Sequence, residues 1–177
     1  ANKYILYQKA LLYRARDESI FLSPEKLITQ RISGGLTPLV TSYDNQQFYT
    51  FNSTNTLLPK NKDYPLKYII ALLNSKLINW YYVNKFTNKS ELTVNISKTF
   101  LEQLPVKNPS ESQRQKIIQM VDKMLSLSKR LFEMGDKTTS ETKDLNDKID
   151  NLNNEINEEV YKLYGITDKQ REVIENS

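Results

Sequence analysis

Past Pro109 the apolar residues of this 177-residue chain fall into two long runs at helical spacing, and a chain so patterned has to pack helix against helix. In the first run Ile117, Val121, Met124 and Leu131, flanked by Ile118, Leu125 and Phe132, make one broad apolar face. Ser110 precedes it as a cap, and Gln113 stands three residues on, where a capping box needs it. A polar interval over 135–143 leads to the second run, Leu145, Ile149, Leu152, Ile156, Val160 and Leu163, with Asn, Asp, Glu and Lys on its other faces. That narrower stripe has the seam of a coiled coil. The two runs predict an antiparallel pair over 113–134 and 143–163, with Leu145, Ile149, Leu152 and Ile156 as the residues that dock another protein surface. Gly165 can end the second helix in the left-handed conformation, Ile166 can pack back, and Thr167 with Gln170 can box the start of a short terminal helix.

Before Pro109 the period changes. Residues 2–16 mix polar and aromatic side chains without a repeat and read as an entry strand or loop. Over 25–33 (EKLITQRIS), Leu27, Thr29 and Arg31 alternate with Ile28, Gln30 and Ile32, as in a strand with one wet face, and Gly34-Gly35 ends it. Residues 37–43, 47–51 and 54–58 read as further strands, with a turn signal at Asp44-Asn45. Pro65, capped by Asp63, opens a helix carrying Leu66, Ile69, Ile70 and Leu73. Ser75 caps the next, through Leu77, Ile78, Trp80, Tyr81 and Tyr82, whose aromatics are expected to pack on the sheet. Residues 85–91 (KFTNKSE) are polar and basic, and Leu92, Val94 and Ile96 alternate as a last strand. The expected class is α+β. A small, mostly antiparallel sheet domain with packed helices occupies 1–109, and the long antiparallel helical pair with its short terminal helix occupies 110–177.

Charge divides at the same place. Residues 1–109 carry 14 Lys and Arg against 7 Asp and Glu, a net +7, whereas residues 110–177 carry 11 against 14, a net −3. A basic lobe joined to a mildly acidic helical one points to a polyanion for the first and to protein for the second. There is no cysteine and no histidine, so disulfides, thiolate nucleophiles, the commonest zinc ligands and the usual near-neutral proton carrier are all missing. Most hydrolase and metalloenzyme readings fail there. No apolar run approaches the roughly 20 residues that span a bilayer, and no signal peptide opens the chain, so the expected location is cytoplasmic, without a membrane partner. Beginning at Ala1 in mid-pattern, the chain reads as part of a longer polypeptide whose remainder holds the chemistry.

Four glycines, with Gly34-Gly35 the one adjacent pair, make no phosphate or cofactor loop, so no cofactor is expected within the chain. There is no Asn-Pro-Pro-aromatic tetrapeptide of the kind with which amino-group methyltransferases hold a flipped base. Asp17-Glu18, Asp44 and Glu91 are too scattered for two-metal nuclease work, and no catalytic or metal-ligating residue is assigned. What the basic half does carry is side chains able to read a duplex: Lys26, Arg31, Lys85, Lys89 and Lys98, interspersed with Asn45, Gln46, Gln47, Asn52, Asn55, Asn88 and Asn95. Arg pairs with guanine and Asn or Gln with adenine through two hydrogen bonds, while Lys grips phosphate. Exposed loops are polar whatever they do, so two other readings stay open. One is a helical interaction module whose basic half only steadies a partner subunit. The other is single-strand RNA binding through exposed tyrosines.

EKLITQRIS at 25–33, LLNSKLINWYY at 72–82, FLEQLPV at 100–106 and KLYGIT at 162–167 sharpen the reading. In this order they resemble the C-terminal specificity domain of TaqI-like DNA adenine methyltransferases and single-chain restriction–methylation enzymes, a relative of the target-recognition domains of type I specificity subunits. FYTFNSTNTLLP at 48–59 takes the place of that family's strand pair, and IIQMVDKMLSL at 117–127 that of its first conserved helix. The resemblance runs from about Glu25 to the end of the chain. It implies a target-recognition domain for double-stranded DNA, followed by long helices that act as spacer and dock a methyltransferase domain or a second specificity half. It also implies S-adenosylmethionine as methyl donor and N6-methyladenine as product, both handled by a catalytic domain outside this chain. Arg31 matches a recurrent basic position of the family's strand motif and is carried over as a DNA contact. The 85–95 segment lacks the glycines that many relatives carry there.

Overall fold

The computed structural model describes residues 7–12, 15–87, 94–135 and 138–177. Among the described residues five short strands form: Lys26–Gln30 (β1), Ile32–Ser33 (β2), Thr41–Asp44 (β3), Thr54–Leu57 (β4) and Val94–Asn95 (β5). β1 is the centre of a three-stranded antiparallel sheet in the order β3–β1–β4, with Leu27 opposite Tyr43 on one side and Leu57 on the other. A separate antiparallel pair joins β2 to β5. Leu27 and Thr29 face inward, and the Thr29 hydroxyl is satisfied by donating to the Val40 carbonyl at 3.1 Å.

Helices cover the inner face in two layers. Leu66–Asn74 (α2) buries Leu66, Tyr68, Ile70, Ala71, Leu72 and Leu73, which is nearly its whole circumference. A helix apolar all round has to be covered on both sides. The sheet covers one side of α2, and the long helix Glu111–Met134 (α5) covers the other. Ser140–Tyr164 (α6) lies beside α5 and reaches Lys76–Phe86 (α3), against which the terminal helix Asp168–Glu175 (α7) also packs. Leu27, Tyr68 and Tyr82 from one side of Pro109 join Ile117, Val121, Leu152 and Val160 from the other in one apolar cluster. The long helices are thus part of the core. Among the described residues no helix is long and apolar enough to cross a membrane.

The caps formed largely as their spacing predicts. Ser110 with Gln113 and Thr167 with Gln170 make capping boxes, Ser75 caps α3 by accepting the Ile78 N–H, and Gly165 ends α6 in the left-handed region at φ 68° and ψ 34°. α6 begins earlier than its apolar seam, because Thr139 and Thr142 form a further box. α2 has no side-chain cap at its start. Asn61, not Asp63, organises the turn before it by accepting the N–H groups of Asp63 and Tyr64.

Three expectations for the sheet fail for identifiable reasons. The strand over 25–33 breaks at Arg31, where the chain changes partners. Residues 47–51 leave the sheet because the Asp44 carboxylate accepts the N–H groups of Gln46 at 2.8 Å and Phe48 at 3.0 Å, and Gln47 takes a positive φ of 60°. In the 37–43 segment only Thr41 onward is strand. Leu39 and Thr41 instead give their N–H groups to the side chains of Asn79 and Asn74, at 2.8 and 2.9 Å. Short helices unmarked by periodicity appear at Glu18–Phe21 (α1) and Lys98–Leu101 (α4), with a 3-10 turn at Lys9–Leu11. The expected strand position Leu92 lies outside the described residues.

Candidate nucleic-acid interface

Arg31 occupies the joint between the two sheets. Its N–H donates to the Ser53 carbonyl at 2.9 Å, continuing the β1–β4 side, while its carbonyl accepts the Ile96 N–H at 2.7 Å and starts the β2–β5 side. The side chain is exposed, and Nη1 donates to the Asn52 carbonyl at 3.3 Å. Around the same joint, Asn55 Nδ2 donates to the Ile96 carbonyl at 2.7 Å, and Asn95, paired with Ile32 in the ladder, accepts the Tyr82 hydroxyl on its carbonyl at 2.9 Å. Arg31, Asn52, Asn55 and Asn95 therefore converge. Lys98 opens α4 two residues past Ile96, and Lys85 ends α3 beside Phe86, whose ring stacks on Phe100 of α4 at 4.9 Å. Both lysines are exposed. Asn88 and Lys89 lie outside the described residues.

The remaining candidates sit at the other end of β1, roughly 16 Å away at strand rise per residue. Lys26 is a correction. Its side chain is buried, paired with the Asp44 carboxylate across the β1–β3 register, and donates to the Phe21 carbonyl at 2.8 Å, so it cannot meet a phosphate. Gln47 spends its amide on the Leu22 carbonyl at 2.8 Å, and Asn45 and Gln46 ride on the exposed turn held by Asp44. The seam is a correction of the same kind. Leu145, Leu152 and Ile156 are buried within the chain and Ile149 is half-buried, so these side chains are already covered without a second protein.

Arg16 belongs to the site and was invisible in the sequence, since it stands in a stretch with no period. Its guanidinium donates to the Thr54 carbonyl, to Thr56 Oγ1 at 2.8 Å and to Thr50 Oγ1 at 3.4 Å, which fixes the 50–56 segment beside Arg31. Burial, and then the nearby Arg31 charge, push the Arg16 guanidinium below its ordinary range. Two like charges are held close with no carboxylate paired to either among the described residues. An approaching polyanion would relieve that repulsion. Lys60, Lys62, Lys85 and Lys107 also lack a paired carboxylate among the described residues, whereas Lys9, Lys67, Lys76 and the candidate Lys98 are matched by Asp17, Asp122, Glu175 and Glu102. No group of three acidic residues is placed to hold a metal ion, again among the described residues.

The polar residues of the four segments singled out from the sequence mostly hold the fold together. Glu25 accepts the Tyr43 hydroxyl at 2.7 Å. Asn74 donates to the Thr41 carbonyl at 2.9 Å while accepting its N–H, as a strand neighbour would. Tyr164 donates its hydroxyl to the Pro105 carbonyl and accepts the Lys107 N–H. Gln30 and Arg31 of the first segment are exposed instead. The model of the family described as the TaqI-like C-terminal specificity domain matches residues 1–106. This chain belongs to that family. The TaqI-like match covers the sheet, α2, α3 and the Arg31 joint, and stops short of the KLYGIT segment at 162–167. A protein of Methanocaldococcus jannaschii named as a type II restriction enzyme and methyltransferase is 29% identical over 151 residues, 82% of this chain and 12% of that protein. A span of 82% cannot fit within residues 1–106, so this similarity reaches into the long helices. The TaqI-like chain spans about an eighth of that relative's length. Membership in a specificity-domain family supports a DNA-recognition role.

Proposed function

We propose that this chain supplies sequence-specific recognition of duplex DNA to a restriction–modification enzyme of type IIG or type I organisation. Methyl transfer to adenine N6 from S-adenosylmethionine, and any cleavage, belong to other parts of that enzyme, which works in the cytoplasm where its DNA is. The observation that carries this reading is the Arg31 joint: an exposed guanidinium at the meeting of two sheets, with Asn52, Asn55 and Asn95 around it and no carboxylate paired to it among the described residues. An arginine so placed can present its fork to guanine N7 and O6 in the major groove. Lys85, exposed and without a paired carboxylate among the described residues, and Lys98, which would exchange its exposed Glu102 partner, would grip the flanking phosphates. The helices α5 and α6 back the recognition layer and offer their outer faces to the methyltransferase domain or to a second specificity half.

A random duplex library offered to the chain should return enriched sequences, and affinity should fall steeply as salt rises. Equal, salt-insensitive binding to every duplex would overturn the proposal.

A further inference from the structure

Exposed apolar side chains scattered singly over a surface need no explanation, but two here flank one arginine. Ile32, next to Arg31 in the chain and opposite Asn95 in the β2–β5 pair, is 67% exposed. Phe51 precedes the Asn52 carbonyl that the Arg31 guanidinium holds, and is 73% exposed. Phe51 is not a loose tip. Its carbonyl accepts both the N–H of Thr54 at 3.2 Å and the Thr54 hydroxyl at 2.9 Å, and Arg16 grips the Thr54 carbonyl from the other side. The turn that presents Phe51 is thus fixed to the same guanidinium pair that makes the site cationic.

A protein covering Ile32 and Phe51 would have to bury the Arg16 and Arg31 charges beside them. Duplex DNA brings phosphates for those charges and an apolar group as well, the thymine 5-methyl, which lies in the major groove alongside the guanine edge that arginine reads. We infer that Ile32 and Phe51 form an apolar contact for thymine 5-methyl groups, next to a guanine paired with Arg31. This rests on the duplex-recognition reading above and names what the site selects: steps that combine guanine with a neighbouring thymine.

The test uses the duplexes that the 177-residue chain enriches from a random library, remade with deoxyuridine in place of each thymine in turn. At one or two thymines next to a guanine, removing the methyl should weaken binding about fourfold, the factor that burying one such group supplies. Phe51→Ala should bind thymine and uracil forms alike, at the weakened level, while Phe51→Leu keeps most of the discrimination. Because Phe51 is exposed, thermal unfolding of Phe51→Ala should match that of the parent, which separates lost contact from lost fold. Enriched duplexes that tolerate every thymine-to-uracil exchange, or a methyl preference unchanged in both Phe51→Ala and Ile32→Ala, would overturn this inference and leave duplex recognition standing. A library that yields no enriched sequence would remove both.

Discussion

Lys26 and Asp44 face each other across the β1–β3 ladder and form an ion pair from which solvent is excluded. The lysine also donates to the Phe21 carbonyl, and the carboxylate also accepts the Gln46 and Phe48 N–H groups, so each charge is fully partnered. Lys26→Met leaves a buried carboxylate without its cation and should cost about 3–5 kcal/mol in denaturant unfolding. A loss under about 1 kcal/mol would show that the pair is far wetter than its burial indicates.

The same pair sets an acid limit. Burial raises the Asp44 carboxyl, but hydrogen bonds from Lys26 and from the Gln46 and Phe48 N–H groups outweigh it and hold the group below the ordinary carboxylate range. A carboxyl depressed on folding adds stability that is complete above its unfolded value near pH 4 and disappears as pH falls through its folded value. As pH falls below about 4, the unfolding temperature should therefore drop more steeply in the parent than in Asp44→Asn. Glu159 and Glu175, also lowered by neighbouring lysines, account for the slope that remains. Parallel profiles for the two proteins would exclude Asp44 as a source.

Arg31→Ala should leave stability within about 0.5 kcal/mol, because its side chain is exposed. Affinity for the enriched duplex should fall by about 1–3 kcal/mol, with preference lost at one base pair. If instead every sequence weakens together and the salt slope drops by about one, Arg31 grips phosphate.

Asn157 of α6 accepts the Lys76 N–H at the start of α3 on Oδ1 at 2.8 Å, and donates to the Asn153 carbonyl at 2.9 Å. Asn157→Leu leaves the part-buried Lys76 N–H without this acceptor and should cost about 1–3 kcal/mol. Thermal unfolding checks it, and the DNA preference of the folded fraction should be unaltered.

Leu152→Asp puts a carboxylate into the cluster shared by both halves and should destabilise by about 4 kcal/mol or more. Residues 1–109 on their own should likewise lack a native fold, since Ile117, Val121, Leu152 and Val160 complete that cluster. Amide dispersion in a proton–nitrogen spectrum reads the outcome. A well-dispersed spectrum from 1–109 would show that the sheet and α2–α3 close without the long helices.

Much of the local structure was legible because its causes are local. Ser75, Ser110, Thr167 and Gly165 act on groups within a few residues, so the boundaries they set follow from spacing. The sheet was less legible. Asp44 extends the turn expected at Asp44-Asn45 through Phe48, so the strand read over 47–51 does not form, and β1 stops before Arg31 because Ser53 and Ile96 lie on opposite sides of it. Among the site residues, Arg31, Asn52, Asn55 and Asn95 stood out by type and do converge. Arg16 did not, because its partners Thr54 and Thr56 are nearly 40 positions away.

The order of residues alone determined where helices start and stop, the basic and acidic halves, and the family to which the first 106 residues belong. Tertiary structure decided which charges and apolar stripes were spent indoors. Lys26 looked like any surface lysine, and Leu145 to Ile156 like a free seam, until packing covered them. Burial depends on what the rest of the chain brings alongside, and a side chain's own type and spacing carry no record of that partner.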